Sequence, residues 1–369
     1  MAQLRFVALS VRLWQSESGL VIRDGKWAAM NLKEFARHLG LSQTTVSRAL
    51  DNYPEVNEQT RARVREAAER LGYRPNRAAR RMVTGRSGML GLVIQAERDV
   101  LIDPVLAELL GGIGEAARRA DLDIVISPST SEKEIAAYDR LIGSGTVDGL
   151  IICGTRTRDE RILHLADRAI PFVVHGRSEV PKSYAFIDID NQGAFRQATS
   201  FLADLGHRRI ALINGDLGYA FAQARVQGYR EALRERGLTL DPTLEHEGMM
   251  TSENGYRATR KLLAAANPPS ALLFSSMLIA LGALRALAEM NLVPGRDVSV
   301  IAHDDDLPAL QPEYMVPPLT TTRSRIRAGG ERAAELLIAH LSGKPIEELQ
   351  EVWPVELIVR GSTAIACKG

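Results

Sequence analysis

The sequence predicts an α/β chain in which a small helical N-terminal unit precedes a large two-lobed domain built from two doubly wound parallel sheets. Three observations predict it. Residues 32 to 71 carry apolar side chains at helical spacing in three runs broken by turn residues. Beyond residue 87, short apolar runs alternate with amphipathic stretches in two successive series, the pattern of βαβ units. The length of 369 residues also exceeds what one hydrophobic core supports, since single cores stop growing near about 250 to 300 residues.

Composition narrows the class. With 45% hydrophobic and 25% charged residues and no long biased tract, the chain is of the folded, water-soluble kind. Two cysteines, Cys153 and Cys367, are too few and too far apart for a disulfide framework or a zinc cluster, which suits a reducing cytoplasm. The opening LRFVALSVRLW is cut short by Arg12 with no small-residue cleavage site after it, and no run reaches transmembrane length, so neither secretion nor a membrane partner is expected.

In the N-terminal unit, Leu32, Phe35, Ala36 and Leu39 lie at helical spacing and Gly40 ends their run. Ser42 is placed to cap the next helix, Gln43 to Leu50, whose Val46, Ala49 and Leu50 share one face while Gln43, Thr44, Ser47 and Arg48 point away. A third helix, Glu58 to Leu71, has Val64, Ala67, Ala68 and Leu71 as its inner face. Two short helices about a glycine turn are the helix-turn-helix signature, in which the second helix enters the major groove. Gln43, Thr44 and Arg48 are then the base readers, because Gln pairs with adenine, Arg with guanine, and a Thr methyl meets the thymine methyl. Thr45 and Ser47 are expected to hold phosphates or to cap. On spacing alone, a three-helix interaction domain with a solvated polar face is the lesser alternative.

Charge bears on that choice. Residues 31 to 87 hold 12 Lys/Arg against 6 acids, a balance of +6 that leaves −5 for the rest of a chain whose total is +1. Basic surface confined to one small module suits a polyanion, although a charge run also reads as a plain solvated face.

In the larger domain the first series runs MLGLVI, a helical stretch over 105 to 119, DIVIS, 132 to 142, DGLIIC, 159 to 169, and PFVVH. The second runs 193 to 205, RIALING, 222 to 236, 255 to 265, SALLFS, 280 to 290, and DVSVIAHDD. Ligands of such sheets bind beyond the carboxyl ends of the strands. GGIGEAA lies inside a helical stretch and not directly after a strand, so its glycines serve packing rather than a dinucleotide. There is no P-loop, HExxH or CxxC pair and no convincing Ser/His/Asp order, so the chain is read as no enzyme, with no metal or cofactor.

The run LKEFARHLGLSQTTVSRALDNYPEVNEQTRARVREAAERLGYRPN, with ELIVRGST near the C-terminus, resembles the lactose/galactose repressor (LacI/GalR) family over about residues 31 to 366, and most of all its repressors of α-glucoside utilisation. The resemblance implies DNA reading by the helix carrying T-V-S-R. It makes RAARRMVTGRS a hinge helix that places Asn76, Arg77 and Arg80 on DNA and wedges Ala79 and Met82, where the family usually has Leu, into the minor groove. A plain linker is the alternative there. It implies the domains 31–75 (DNA-binding), 76–86 (hinge) and 87–369 (ligand-binding and dimerisation, periplasmic-binding-protein-like). The N-lobe is 87–189 plus 324–352 and the C-lobe 190–323 plus 353–369. Residues 1–30 are an extension of doubtful status, since family members commonly begin near Met30.

The resemblance also places sugar ligands at Arg225, whose alternative is a surface ion pair, and at Asp304 in the run Asp304-Asp305-Asp306, otherwise read as loop acids or a metal site. Arg177 and Ser276 are further ligand candidates. Where the family commonly has Asn-Asp, this chain has Ser276-Met277, which removes an amide arm and adds apolar surface, in keeping with a ligand bulkier than a monosaccharide, such as a disaccharide, or one bound differently. The function implied is a homodimeric repressor of carbohydrate-utilisation genes, bound to double-stranded operator DNA and released by a small sugar. The rival is a sugar-binding protein of the periplasmic class without specific DNA binding.

Overall fold

The computed structural model describes residues 20–23, 26–50, 52–74, 85–95, 104–304 and 306–366, and it divides into two compact units, Met1–Ser87 and Gly88–Gly369. In the first unit, β1 (Leu20–Arg23) and β2 (Lys26–Ala29) pair antiparallel with Leu20 opposite Ala29. The sequence reading assigns no element there, although Asp24-Gly25 between two β-prone runs is the sequence signal of a two-residue hairpin.

Three helices follow: α1 (Leu32–Leu39), α2 (Gln43–Leu50) and α3 (Glu58–Leu71). Asn31 starts α1 with a capping box, its Oδ1 accepting the Glu34 N–H at 3.0 Å while its own N–H donates to Glu34 Oε2 at 3.2 Å. Gly40 ends α1 at φ 67°, left-handed backbone that glycine adopts without cost. Asn57 caps α3 by its side chain alone, Oδ1 accepting the Thr60 N–H at 2.8 Å. Phe35, Val46, Ala49 and Val64 are fully buried, and Tyr73 closes the core by stacking on Phe35 with ring centroids 4.1 Å apart.

The second unit holds two six-stranded sheets. One runs β13-β7-β6-β5-β3-β4, where β3 is Met89–Gln95, β4 Asp123–Ser129, β5 Gly149–Ile152, β6 Phe172–His175, β7 Ala185–Ile189 and β13 Gln350–Trp353. All its pairings are parallel. The other runs β14-β12-β11-β10-β8-β9, with β8 Ile210–Asn214, β9 Glu245–Glu247, β10 Ala271–Phe274, β11 Ser299–Asp304, β12 Thr320–Arg323 and β14 Glu356–Ile358. It is parallel except that β14 lies antiparallel to β12. Both sheets are covered on both faces, so β5 and β10 are apolar and buried along their whole length rather than alternating.

The covering helices are α4 (Pro104–Arg119), α5 (Glu134–Gly143), α6 (Glu160–Asp167), α7 (Asn191–Asp204), α8 (Ala220–Glu235), α9 (Ser252–Leu263), α10 (Met277–Glu289) and α11 (Ile326–Leu341). α4 and α11 pack face to face across glycine: a Cβ on Gly112 would lie 1.9 Å from the Arg327 carbonyl oxygen, and one on Gly330 2.2 Å from that of Leu109. Gly111 and Gly112 of GGIGEAA therefore serve close packing against α11, as the sequence suggested, whereas a Cβ on Gly114 would meet nothing nearer than 3.9 Å. The chain passes between the sheets three times, after β7, after β12 and after β13.

Candidate functional site

In the head, the exposed side of α2 carries Gln43, Thr44 and Arg48, opposite buried Val46 and Ala49. Arg48 makes no side-chain hydrogen bond or ion pair among the described residues, its guanidinium lying 6.0 Å from the Tyr53 ring centroid. Thr45 is committed locally: Ser42 Oγ accepts its N–H at 3.0 Å, and the two hydroxyls are 2.8 Å apart. Ser47 is half-buried beside it. Part of the head's positive charge is structural. Arg61 donates to the Val56 carbonyl at 2.9 Å and pairs with Glu58 at 2.5 Å, Arg63 donates to the Leu39 carbonyl at 2.8 Å, and Arg65 donates to Asn52. Asn76, Arg77, Ala79, Arg80 and Met82 lie outside the described residues.

In the second unit a cavity of about 650 Å³ opens between the two sheets. Its walls come from the carboxyl ends of strands: Gln95 of β3, Cys153 to Thr155 after β5, Arg177 after β6, Tyr219 to Phe221 after β8, and Ser275 to Leu278 after β10. Arg225, on α8 and only 6% exposed, dominates the polar part of this wall. Its Nε donates to Asn191 Oδ1 at 2.8 Å and its Nη1 to the Ser275 carbonyl at 2.6 Å. Its guanidinium carbon sits 4.8 Å from the Phe221 ring centroid and 5.3 Å from that of Phe195. This is a buried, held guanidinium, not an exposed ion pair on a helix face.

Ser276 lines the cavity and caps α10, its Oγ accepting the Ile279 N–H at 3.2 Å, which leaves its hydroxyl hydrogen and one lone pair for a ligand. Arg177 lines the rim, its Nε donating to Asp188 Oδ2 at 2.7 Å. Asp304 is the last residue of β11, at the carboxyl edge of the sheet, and its side chain lies outside the described residues, as does Asp305. Asp306 has its Oδ1 3.8 Å from Arg323 Nε, and no group of three metal-binding side chains occurs among the described residues.

One wall is ionic and dry. Arg161 donates from Nε to Asp159 Oδ1 (2.8 Å) and from Nη2 to Asp159 Oδ2 (2.6 Å). It also reaches Glu134 Oε1 (3.2 Å) and the carbonyls of Cys153 (3.2 Å) and Gly154 (2.8 Å). Glu134 accepts a further bond from Arg156 at 3.0 Å. Burial pushes the Asp159 carboxyl up, but the hydrogen bonds and charge of Arg161 outweigh it and leave the group below its ordinary range. Beside it, burial pushes the Cys153 thiol up to about 12, which keeps it neutral and unreactive.

This cluster fixes the loop after β5, and that loop meets the opposite lobe. Thr155 accepts the Ala220 N–H at 2.9 Å, and Arg156 forms an antiparallel bridge with Tyr219. Asn191, Tyr219, Phe221, Glu134 and Arg161 were absent from the sequence reading. Only the aromatic pair in GYAFAQAR, a turn followed by rings ahead of Arg225, carries a local signal.

A helix-turn-helix head in one chain with a two-lobed receptor for a small molecule defines a ligand-responsive DNA-binding transcription regulator. Residues 31–76 match the bacterial regulatory proteins of the lacI family, and residues 199–363 match a periplasmic binding protein-like domain. The chain is 49% identical over 338 residues to the HTH-type transcriptional regulator AglR of Rhizobium meliloti, covering 91% of this chain and 95% of that protein. Among solved structures it is similar to a transcriptional regulator CelR–cellobiose complex (32% identity, TM-score 0.68, 90% and 99% covered). It is also similar to the lac repressor dimer bound to operator and the anti-inducer ONPF (27%, TM-score 0.76, 91% and 99%). The chain belongs to the lacI family of bacterial regulatory proteins.

Proposed function

We propose that this protein is a homodimeric repressor of carbohydrate-utilisation genes, released from its operator when a neutral sugar of about disaccharide size binds in the cleft. The observation that carries the reading is Arg225, buried at a cavity of about 650 Å³ with its fork already aimed by Asn191 and the Ser275 carbonyl. A rigid, preorganised donor fork beside apolar walls is how a protein holds adjacent hydroxyls without a net charge to neutralise. The relative crystallised with cellobiose supports a two-ring ligand. Asp304, Arg177 and Ser276 complete the set of hydroxyl partners we assign, and the lobes we assign meet at residues 189/190, 323/324 and 352/353. Gln43, Thr44 and Arg48 read bases, Thr45 and Ser47 support them, and Asn76, Arg77, Ala79, Arg80 and Met82 engage DNA through the hinge.

A second copy covers the apolar surface around Tyr314 (78% exposed) and Val316 (97% exposed), beside a groove lined by Leu281, Leu284, Val293 and Met315. The lac repressor structure, a dimer on operator, supports a dimer, and the choice of this surface rests on its exposed apolar side chains. The protein has no catalytic task in this reading and works in the cytoplasm. No helix among the described residues is long and apolar enough to cross a membrane.

The test is fluorescence anisotropy of the full chain on the DNA upstream of its own gene, at one fixed salt concentration, with and without maltose, sucrose, trehalose and cellobiose. Tight binding released by one of them is expected. Binding that no sequence change weakens refutes the repressor, and binding that requires a sugar reverses the sign of the switch.

A further inference from the structure

The third crossing between the sheets brings one more side chain to the cleft. Trp353, the last residue of β13, lines the cavity, and the remainder of its ring packs on the core. The residue is held from two directions. Its carbonyl accepts the Asp190 N–H at 2.9 Å, which ties the third crossing to the first. Its indole N–H donates to Glu351 Oε2 at 3.1 Å. Glu351 is itself clamped: its Oε1 accepts from Arg332 Nε at 3.0 Å and Nη2 at 2.7 Å.

Two consequences follow for a ligand. The ring is oriented before anything binds, so little conformational entropy is lost in using it. Its one polar atom is already engaged, so what it offers the cavity is flat carbon surface. A pyranose ring presents hydroxyls around its rim and C–H bonds on its faces. The hydroxyl rim has partners at Arg225 and Ser276, and a C–H face has none among them.

We propose that Trp353 is the platform on which a pyranose ring of the effector stacks, and that it sets the affinity of the cleft for glycosides. This rests on the sugar reading of the cleft.

The experiment titrates the full-length wild type, Trp353→Leu and Trp353→Phe with maltose, sucrose, trehalose and cellobiose, by calorimetry and by tryptophan emission, with operator binding in the absence of sugar as the measure of correct folding. One disaccharide is expected to bind the wild type and shift its emission. Trp353→Leu should bind that sugar about tenfold more weakly or worse, as buried aromatic anchors do when truncated. Trp353→Phe, which keeps an aromatic face, should stay close to wild type, and both should hold operator DNA normally. Equal affinity in Trp353→Leu overturns the platform alone, while failure of every disaccharide to bind the wild type overturns the sugar reading and the platform with it. If Trp353→Leu does not fold, the wild-type spectrum decides, since emission unchanged at saturation overturns the proposal.

Discussion

Replacing Arg161 by methionine keeps the apolar stem and deletes the charge that Asp159 and Glu134 share. Asp159 is 0% and Glu134 2% exposed, so water cannot take over the five hydrogen bonds that Arg161 donates, three to carboxylates and two to carbonyls. Removing one partner of a buried ion pair costs about 3–5 kcal/mol, because the charge left behind stays desolvated. For a unit of this size that is a fall in Tm on the order of 10 °C. The loss should depend on pH, with a sign fixed by Asp159. Its folded pKa lies below the unfolded value of about 3.9, so in the wild type its stabilisation is complete above that value and is lost only as pH falls through the lower folded one. In the variant, burial of Asp159 acts without the Arg161 counter-charge, so its carboxyl moves up instead of down and the deficit shrinks as pH falls. Urea unfolding at pH 7.5 and 5.5 measures both quantities. A deficit under about 1 kcal/mol, or the same deficit at both pH values, would show that the cluster is wetter than its geometry indicates.

Arg48→Ala should weaken operator binding by about 1–3 kcal/mol and relax the preference at one base pair, read by anisotropy against single-base operator variants. A uniform loss on every sequence would make Arg48 a phosphate contact. Gly112→Ala places a Cβ 1.9 Å from the Arg327 carbonyl oxygen and should cost about 1–3 kcal/mol or more in thermal unfolding, whereas Gly114→Ala, whose nearest new neighbour is 3.9 Å away, should be neutral or stabilising by up to about 1 kcal/mol. Tyr314→Asp with Val316→Asp should convert the dimer to monomer in sedimentation velocity at micromolar protein and weaken operator binding; an intact dimer places the interface elsewhere.

The head was almost wholly legible in the sequence, because each helix is short, amphipathic and capped by its own neighbours, so periodicity and turn residues suffice. The βα alternation was legible for the same reason wherever strands are continuous apolar runs. It failed at β7 and β12, whose AFIDI and TTTR lack such runs, and at the short edge strands β9, β13 and β14. Helix α11 was hidden by Gly329-Gly330, unfavourable by propensity and tolerated because α4 needs the space. Arg225 was found through the resemblance. Its partner Asn191, the indole of Trp353 and the Glu134–Arg161 pair come from segments far apart in the chain, and nothing local marks residues that only the folded topology brings to one cavity.

The interleaved sheet order also sets a timetable for synthesis. The head has all its helices once residue 71 is made, whereas the sheet containing β3 waits for α11, which ends at Leu341, and for β13, which follows it. At about 5–20 residues per second, the 282 residues from Leu71 to Trp353 (353 − 71) separate the two events by roughly 15 to 55 s. A nascent chain thus displays a finished head long before the cleft that would govern it exists. A message broken in that interval would yield a head with no ear for sugar.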